Sequence, residues 1–430
     1  MESYRSGRRS RAMLFGLVCL GLVAWFLVWS LRIPPPLMGV YSRPSKWYWI
    51  KFVAFYLLVK LRRWRGGRGE EAGKAETTSG YGIKSKASVE DMECVQPLST
   101  HPKAIDAVYF NAANSNGLYL VAATARRPQG VVNGVLYIRL PGVGLLQLPR
   151  MPDTLLFGDG ESFGAEGLLL TPVKPMSVWK LQYKGQMKIW GEVLSNKEVE
   201  LNAEFISSQP YFDFDTDMHP AAMARSFSKE QWSREYFENL KRAHQTHYEQ
   251  MGKLEGTVVV DGRAYVLRMD HCMRDHSYGQ RREWKLLHRY ALHMFTTEDG
   301  VQVNVGLVSQ PLTCSQLELG YVCAEGKIIP VSEVDFPLWQ HGENGHPPSE
   351  YAFSFVAGGQ EYVVEVCIRE SPQFYIGWEW EARLVEQFAG FKLNGKKGWG
   401  VTEWHYRHTG GRPHVYTSSD PAWTKDMTKG

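Results

Sequence analysis

Cysteine is scarce in this sequence, and its placement excludes a disulfide framework. The 430 residues include six cysteines, none of them in a Cys-x-x-Cys pair, and Cys19 lies inside an apolar run. Disulfide-dependent domains use more cysteines at more regular spacings. The chain also has no Asn-x-Ser/Thr acceptor, which slightly disfavours a lumenal domain. The fold must therefore rest on an apolar core, and 44% hydrophobic residues over this length allow a sizeable one.

Signatures of phosphate-binding loops and zinc proteases are also missing. The chain contains neither a Gly-x-x-x-x-Gly-Lys-Ser/Thr loop nor a His-Glu-x-x-His helix. His271, Cys272, Asp275 and His276 are close in sequence, but their spacing fits no zinc pattern. The Asp-x-Asp-x-Asp segment at 213–217 lacks the later glycine and glutamate of a calcium loop. We therefore expect neither a metal nor a cofactor.

Positive charge is concentrated near the N-terminus. Residues 1–68 contain thirteen Lys and Arg residues and one acidic residue, which leaves 36 basic and 44 acidic residues in the rest. A nucleic-acid-binding protein carries its basic patch on a folded domain. Here the basic residues flank apolar sequence, where anionic lipid headgroups attract them. The pattern predicts membrane lipids as a partner and argues against nucleic acid.

Two apolar segments lie within this basic region. Residues 12–31 are uncharged, and as a helix they are long enough to cross a hydrocarbon core of about 30 Å. We predict an uncleaved transmembrane helix and not a signal peptide, because Trp25, Phe26 and Trp29 stand near its end, where a cleavage site needs small residues. The segment 47–61 is predicted to be a short span or a helix at the membrane surface. The basic cluster after it favours a hairpin anchor over a single pass, with the folded part on the cytosolic side of an endomembrane.

Short runs of β-branched and aromatic residues, separated by tight turns, dominate the rest of the chain. Asp261-Gly262, for example, supplies the positive φ angles of a two-residue hairpin. One helix begins at Ser228, with Gln231 completing a capping box. Because strands do not alternate with long helices, the pattern predicts mainly β structure, in barrels or sandwiches. The predicted organisation is a membrane anchor at 1–68, a flexible linker at 69–95, a first β domain at 96–250 ending in a connecting helix at 228–250, a second β domain at 251–410, and an unstructured tail at 411–430.

An unusual cluster of charged, imidazole and indole side chains lies between His271 and Trp284. The segment 274–284 resembles the Arg-Asp-His-Ser-aromatic-Gly-x-Arg-x-Trp signature of a double-calycin, lipocalin-like superfamily that includes carotenoid hydratases of the hydroxyneurosporene synthase type. This chain has one extra residue before the tryptophan, so either Arg281 or Arg282 matches the signature arginine. Segments 247–250 and 398–404 are similar to the same superfamily, and the resemblance spans roughly residues 105–410. The sequence is also similar to the N-terminal region of animal phosphoenolpyruvate-synthase-like proteins.

The resemblance implies two antiparallel lipocalin-like β units packed together, with a largely apolar pocket. Asp275 and His276 are the candidate catalytic residues. The candidate ligand-binding residues are Arg274, Arg281, Arg282, Trp284, Glu403 and His405. In a dry pocket, a carboxylic acid with a raised pKa protonates a double bond while aromatic faces stabilise the cation. The other interpretation is a buried ionic network around Asp275 that has no catalytic role.

Three functions are compatible with this sequence. The leading hypothesis is a membrane-anchored binding protein for a lipid or another hydrophobic small molecule. The second is a cofactor-independent hydratase, cyclase or isomerase acting on an apolar, isoprenoid-like substrate. The third is a scaffold for a protein partner, which predicts filled barrels and an exposed apolar patch instead of a cavity.

Overall fold

A computed structural model of the chain describes residues 18, 21, 25, 33–66, 87–192, 195–418, 420 and 421. The apolar segment 12–31 lies outside these residues except at three positions, as does most of the predicted linker. Within the described ranges, no helix combines the length and the apolar character needed to cross a bilayer. The α-helices are α1 (Tyr48–Gly66), α2 (Val89–Glu93), α3 (Pro220–Lys229), α4 (Arg234–Ala243) and α5 (His414–Thr417).

The first half of the folded part is a closed antiparallel barrel. Eight strands form the ring in the order β11-β12-β1-β2-β3-β4-β8-β9, and β9 pairs with β11 to close it. The remaining four strands extend this sheet outside the ring. The twelve strands are β1 (Ile105–Ala113), β2 (Tyr119–Arg126), β3 (Val131–Leu140), β4 (Gly144–Gln147), β5 (Leu155–Phe157), β6 (Gly164–Ala165), β7 (Leu168–Lys174), β8 (Val178–Ile189), β9 (Asn196–Ile206), β10 (Tyr211–Asp213), β11 (Thr246–Val260) and β12 (Arg263–Gly279).

The second half is another closed antiparallel barrel of eight strands. Its ring runs β18-β17-β16-β15-β14-β13-β21-β20, and the pairing of β18 with β20 closes it, while β19 pairs with β20 outside the ring. Closure leaves no sheet edge exposed along the ring. The nine strands are β13 (Arg289–Thr297), β14 (Gln302–Gln310), β15 (Cys314–Ala324), β16 (Lys327–Asp335), β17 (Glu350–Ala357), β18 (Gln360–Glu370), β19 (Gln373–Ile376), β20 (Ala382–Leu393) and β21 (Lys396–Arg407).

The predicted mainly β class and the two antiparallel barrel units are confirmed, but the units divide later in the chain than predicted. The predicted boundary at residue 250 falls within β11, and β11 and β12 both pair in the first sheet. The hairpin at Asp261-Gly262 joins these two strands, with φ angles of 47° and 81°. A tight hairpin keeps its two strands in one sheet. The first barrel therefore continues to Gly279 and the second begins at Arg289.

The connecting helix also differs from the prediction. Ser228 lies inside α3, and the side chain that caps the next helix is that of Ser233, which accepts a hydrogen bond from the Tyr236 backbone N–H. α4 ends at Ala243, and the chain then enters β11. The predicted helix at 228–250 is therefore the end of α3, then α4 and the start of β11, because the chain leaves helical geometry at Glu230 and Ser233 caps a new helix.

The folded part begins earlier than predicted, because α1 packs against it. Phe55 and Val59 are buried on one side of α1, and the Phe55 ring lies 5.0 Å from that of Phe227 in α3. On the same helix, Lys51 Nζ donates a hydrogen bond to the Glu230 carbonyl at 2.6 Å. One side of the segment predicted at 47–61 is thus part of the globular body.

Two segments predicted to lack structure also contain fixed contacts. The end of the predicted linker forms α2, and its Glu93 is buried. In the predicted tail, Arg412 is buried and pairs with Asp153 at 2.8 Å and with Asp420. Polar composition favoured disorder at both places, but each carries one charged side chain that pairs with a buried group elsewhere in the fold.

Candidate functional site

Aromatic side chains fill the two barrels. In the first, Phe110 of β1 lies across the barrel from Trp179 of β8, with ring centroids 5.7 Å apart. In the second, His293 of β13 faces Phe353 of β17 at 4.5 Å. Side chains thus occupy these interiors, as expected for barrels of this size. The pocket implied by the family resemblance is therefore expected outside the barrel interiors.

The main cavity lies between the two barrels, where their outer faces meet. It has a volume of about 690 Å³. Its walls come from β1, β2, β3, β11 and β12 on one side and from β13, β14, β15, β19, β20 and β21 on the other. Residues of α4 and of the connection between the barrels also line it. Apolar side chains form most of the wall, among them Ile105, Ala107, Ala123, Val135, Leu292, Val308, Leu319 and Leu384.

β12 directs alternate side chains to opposite sides, as any strand does. Asp275 and Ser277 line the cavity. Arg274 and His276, which were predicted for the same site, point into the first barrel. Arg274 Nη1 lies 2.9 Å from Glu93 Oε1, and its guanidinium lies over the Trp179 ring. The strand therefore separates the two residues from Asp275.

His276 is held inside the first barrel by two buried groups. One ring nitrogen lies 2.7 Å from Asp106 Oδ1 and the other 2.8 Å from the Tyr248 hydroxyl. Asp106 also pairs with Arg126 at 2.6 Å. The histidine has no access to the cavity. Its contacts indicate a structural role and do not support the predicted catalytic one.

Asp275 is the acidic group with the most direct access to the cavity. Within the described part of the chain its carboxylate accepts no hydrogen bond and forms no ion pair. Burial raises the pKa of Asp275 to about 7, with His247 and Arg282 opposing the shift and Glu249 and Glu403 adding to it. Near neutral pH the group is present both as an acid and as a carboxylate. It can therefore give a proton and take one back.

A histidine and a glutamate on β11 lie beside Asp275. His247 Nε2 is 3.1 Å from Glu249 Oε1, and the Asn304 side chain donates a hydrogen bond to the other oxygen of Glu249. Burial opposes protonation of His247, but Glu249 and Asp275 outweigh it, so the pKa of His247 is raised. The sequence showed these residues only as part of the family resemblance, although Glu249 and Asp275 are paired positions on β11 and β12.

Two further carboxyl groups meet on the second barrel's side. Glu386 of β20 is the paired position of Glu403 of β21, and only Glu403 lines the cavity. Tyr290 donates a hydrogen bond to Glu403, and Tyr109 donates one to Glu386 at 3.3 Å. Burial and the charge of Glu403 raise the pKa of Glu386 well above its usual value, and burial also raises the pKa of Glu403. Two buried carboxylates this close hold at least one proton at neutral pH.

The predicted ligand-binding residues divide between the cavity and its surroundings. Arg281, Arg282 and Trp284 line it, together with Glu403. Arg281 is exposed and pairs with Glu283. His405 is not in the wall: it is fully buried and stacks against Trp284 and Tyr290, and burial lowers its pKa to about 3.

The sequence also contains a spacing that is typical of a nucleophilic serine, which the strand pattern does not reveal. Residues 160–164 read Gly-x-Ser-x-Gly, the spacing of a hydrolase elbow. In the structure this segment is a turn that leads into the two-residue strand β6, and no helix follows it. Ser162 Oγ donates to Asp159 Oδ1 at 3.2 Å. The context that activates such a serine is therefore missing from this part of the chain.

The described residues contain no group of three or more His, Cys, Asp or Glu side chains placed to hold a metal ion. The acidic and imidazole side chains around the cavity instead form hydrogen-bonded pairs or face the cavity without a partner among those residues. The arrangement is suited to proton transfer and to enclosing an apolar molecule.

Comparison with known proteins identifies a family. A family model described as a family of unknown function (DUF8627) matches residues 17–406. No curated protein matches the chain. Neither finding bears on the resemblance to phosphoenolpyruvate-synthase-like proteins.

Three solved structures align with most of the chain at low similarity. Kievitone hydratase from Nectria haematococca is 11% identical, with 71% of this chain and 89% of that chain covered and a TM-score of 0.45. A putative AttH from Nitrosomonas europaea is 11% identical, with coverages of 73% and 99% and a TM-score of 0.46. CghA with Sch210972 is 9% identical, with coverages of 72% and 90% and a TM-score of 0.44. At these values none of them bears on the activity of this chain.

Proposed function

The chain belongs to a protein family of unknown function, DUF8627, and we propose that it binds a hydrophobic small molecule between its two barrels while attached to a membrane. The cavity of about 690 Å³ carries this proposal. Its volume is within the usual range of small-molecule sites, and a mostly apolar wall with a few convergent polar groups is typical of them. A scaffold with no ligand would not need such a space, so the cavity favours a binding protein over the scaffold hypothesis.

A large side chain added to the cavity wall is expected to prevent binding. Ala123 of β2 lines the cavity and is partly accessible. In Ala123→Phe the ring occupies open space, so we expect the fold to persist. The measurement is labelling of β1 and β13 peptides by hexadecanol carrying a diazirine in its chain, with the full chain bound to liposomes. We expect a fall of about tenfold or more, because the displaced chain loses several buried methylene groups.

Ala352→Phe is the matched control for this experiment. Ala352 lies on β17, exposed and outside the cavity wall. Its labelling pattern should equal that of the unaltered protein. Equal labelling of the Ala123→Phe protein would contradict the proposed site, and so would an absence of cavity labelling in the unaltered protein.

The exposed side of α1 supports attachment to a membrane surface. Trp49, Ile50, Val53 and Leu57 are between 52% and 70% exposed. They occupy the side of the helix opposite Phe55 and Val59, which pack on the globular body. Helices with an exposed apolar stripe and basic neighbours lie in the headgroup region of bilayers. The basic residues Lys60 and Arg65 are also exposed on this helix.

Residues 1–68 alone are expected to attach a soluble reporter to membranes in a form that resists alkaline carbonate. The reason is that the twenty uncharged residues at 12–31 bury far more apolar surface than a single acyl chain. Sedimentation after carbonate extraction measures this. A reporter carrying only residues 47–68 is the control and should be released. Release of the longer fusion by carbonate would contradict the proposed membrane anchor.

A second candidate function is acid catalysis in the same cavity, and the unpaired Asp275 favours it. A protonated Asp275 would transfer its proton to one carbon of a substrate double bond and leave a cation on the other. The carboxylate would then recover a proton, either from a neighbouring carbon to complete an isomerisation or from an added water to complete a hydration. Tyr109, Phe214 and Tyr290 line the cavity and place aromatic rings near such a cation.

A further inference from the structure

In the described part of the chain, every buried arginine except Arg127 pairs with a carboxylate, and the partly buried Arg282 beside it also lacks a carboxylate partner. Arg126 pairs with Asp106, and Arg274 pairs with Glu93. Arg289 and Arg412 also have carboxylate partners, Glu343 and Asp153. Neither Arg127 nor Arg282 has a carboxylate within 4.0 Å in the part of the chain that the structure describes.

Arg282 presents its guanidinium to the cavity and bonds only to neutral groups. Its Nε donates to Gln245 Oε1 at 2.5 Å, and its Nη2 donates to Ser277 Oγ at 2.9 Å. These two contacts fix the direction of the side chain. A guanidinium has five N–H donors, so others remain for a ligand. Burial lowers the pKa of Arg282, and the neighbouring Asp275 only partly offsets this.

Arg127 lies behind Arg282, in a small space of about 20 Å³ that borders the main cavity. Arg282 and Trp284 line both spaces. Arg127 is only 6% exposed and donates to the backbone carbonyls of Lys103 and Ala104 at 3.2 and 3.4 Å. Burial, together with the charge of Arg282, lowers its pKa to about 9, and Glu381, which lines the same small space, only partly offsets this. Each cation therefore makes the other more costly to bury.

The other cations near this end of the cavity each have a carboxylate partner. Lys103, Arg281 and Lys285 share the single carboxylate of Glu283. Arg242 lies 3.8 Å from Glu238. Among these side chains, only Arg282 and Arg127 have no described carboxylate within 4.0 Å. Unpaired buried charge is destabilising, and a bound anion relieves it.

We propose that the ligand is an amphipathic acid whose oxyanion, a carboxylate or a phosphate, binds to Arg282 while its hydrocarbon part fills the apolar cavity. Arg127 acts from behind Arg282 by adding positive potential. A guanidinium binds either oxyanion through two parallel hydrogen bonds. This inference rests on the proposed binding function, and it adds the chemical class of the ligand. A free fatty acid and a phosphorylated lipid share the required group.

The test compares three diazirine probes of one chain length: hexadecanol, hexadecanoic acid and hexadecyl phosphate. The full chain on liposomes is labelled at increasing probe concentrations, and the β1 and β13 peptides are quantified. We expect half-saturation by at least one of the two acids at a concentration about tenfold or more below that of the alcohol, since hydrogen bonds to a charged group are stronger than those to a neutral hydroxyl. Preference for the carboxylate would indicate a free acid as the source, and preference for the phosphate a phosphorylated lipid.

In Arg282→Gln this preference should disappear while labelling by hexadecanol is kept. Arg127→Lys keeps the charge and should keep the preference, whereas Arg127→Gln should reduce it. Arg234→Gln is the control, because Arg234 is exposed, pairs with Glu238 and does not line the cavity. Equal half-saturation by all three probes in the unaltered protein would overturn this inference and leave the binding function standing. A preference that survives Arg282→Gln would also overturn it. Failure of all probes to label the cavity would instead refute the binding function.

Discussion

Replacing Arg274 with methionine is expected to lower the free energy of unfolding by about 3–5 kcal/mol, the usual cost of removing one partner from a buried ion pair. Arg274 and Glu93 are both fully buried. Without the guanidinium, the Glu93 carboxylate remains in the first barrel with three neutral donors, the Met176 backbone N–H and the Trp179 and Tyr248 side chains. Urea denaturation followed by tryptophan fluorescence measures the change.

Arg281→Met is the matched control for this variant. Arg281 is half exposed, and its buried partner Glu283 also pairs with Lys103 and Lys285. Removal of Arg281 therefore leaves no unpaired buried charge, and the control should unfold almost like the unaltered protein. The double variant Arg274→Met, Glu93→Met should be less destabilised than Arg274→Met alone, because no charge remains buried. Equal losses in the two single variants would show that the Arg274 pair does not stabilise the barrel.

Asp275→Asn is expected to abolish turnover of a substrate while leaving the protein folded. The amide keeps the shape of the side chain but has no proton to transfer, and loss of a general acid costs about 10²–10⁴ in rate. The pKa of Asp275 is raised to about 7 in the folded state. The unaltered protein therefore loses stability as the pH rises from about 4, the pKa of an unfolded aspartate, to about 7.

The asparagine variant has no such loss, so its advantage in melting temperature should grow between pH 5 and pH 8. Thermal unfolding at the two pH values tests this before any substrate is known. A variant that melts many degrees lower at both would instead identify Asp275 as part of a structural ion network. The structure argues against that network, because Arg274 pairs with Glu93 and Arg282 bonds to Gln245 and Ser277.

Many strands could be predicted because one of their faces is exposed to solvent. Polar and apolar residues then alternate clearly along the strand. In β9, exposed and buried residues alternate regularly from Asn196 to Ile206. In β12 this signal fails, because the first barrel buries one face and the second barrel covers much of the other around Asp275. Hydrophobicity then cannot distinguish the two faces. Asp275 and His276 were therefore predicted as one site although they lie on opposite sides of the strand.

The sequence alone could not predict which residues distant along the chain lie next to each other in the fold. Glu386 becomes important only because β20 pairs with β21 and brings it opposite Glu403. Arg127 gains its position through the loop that places it behind Arg282. Glu93 lies in a five-residue helix, too short for any hydrophobic period. Such residues are defined by closure of the barrels and by their docking, which no local pattern encodes.

Both barrels contribute to the cavity wall. A molecule bound there therefore becomes part of the interface, or joint, between them. Tyr119 of the first barrel stacks on Phe388 of the second at 4.9 Å, and around the cavity a ligand would take the place of such direct packing. By thermodynamic linkage, the free energy gained on binding is equally free energy that holds the barrels together. The two barrels would then unfold as one cooperative unit when the joint is filled, and more independently when it is empty.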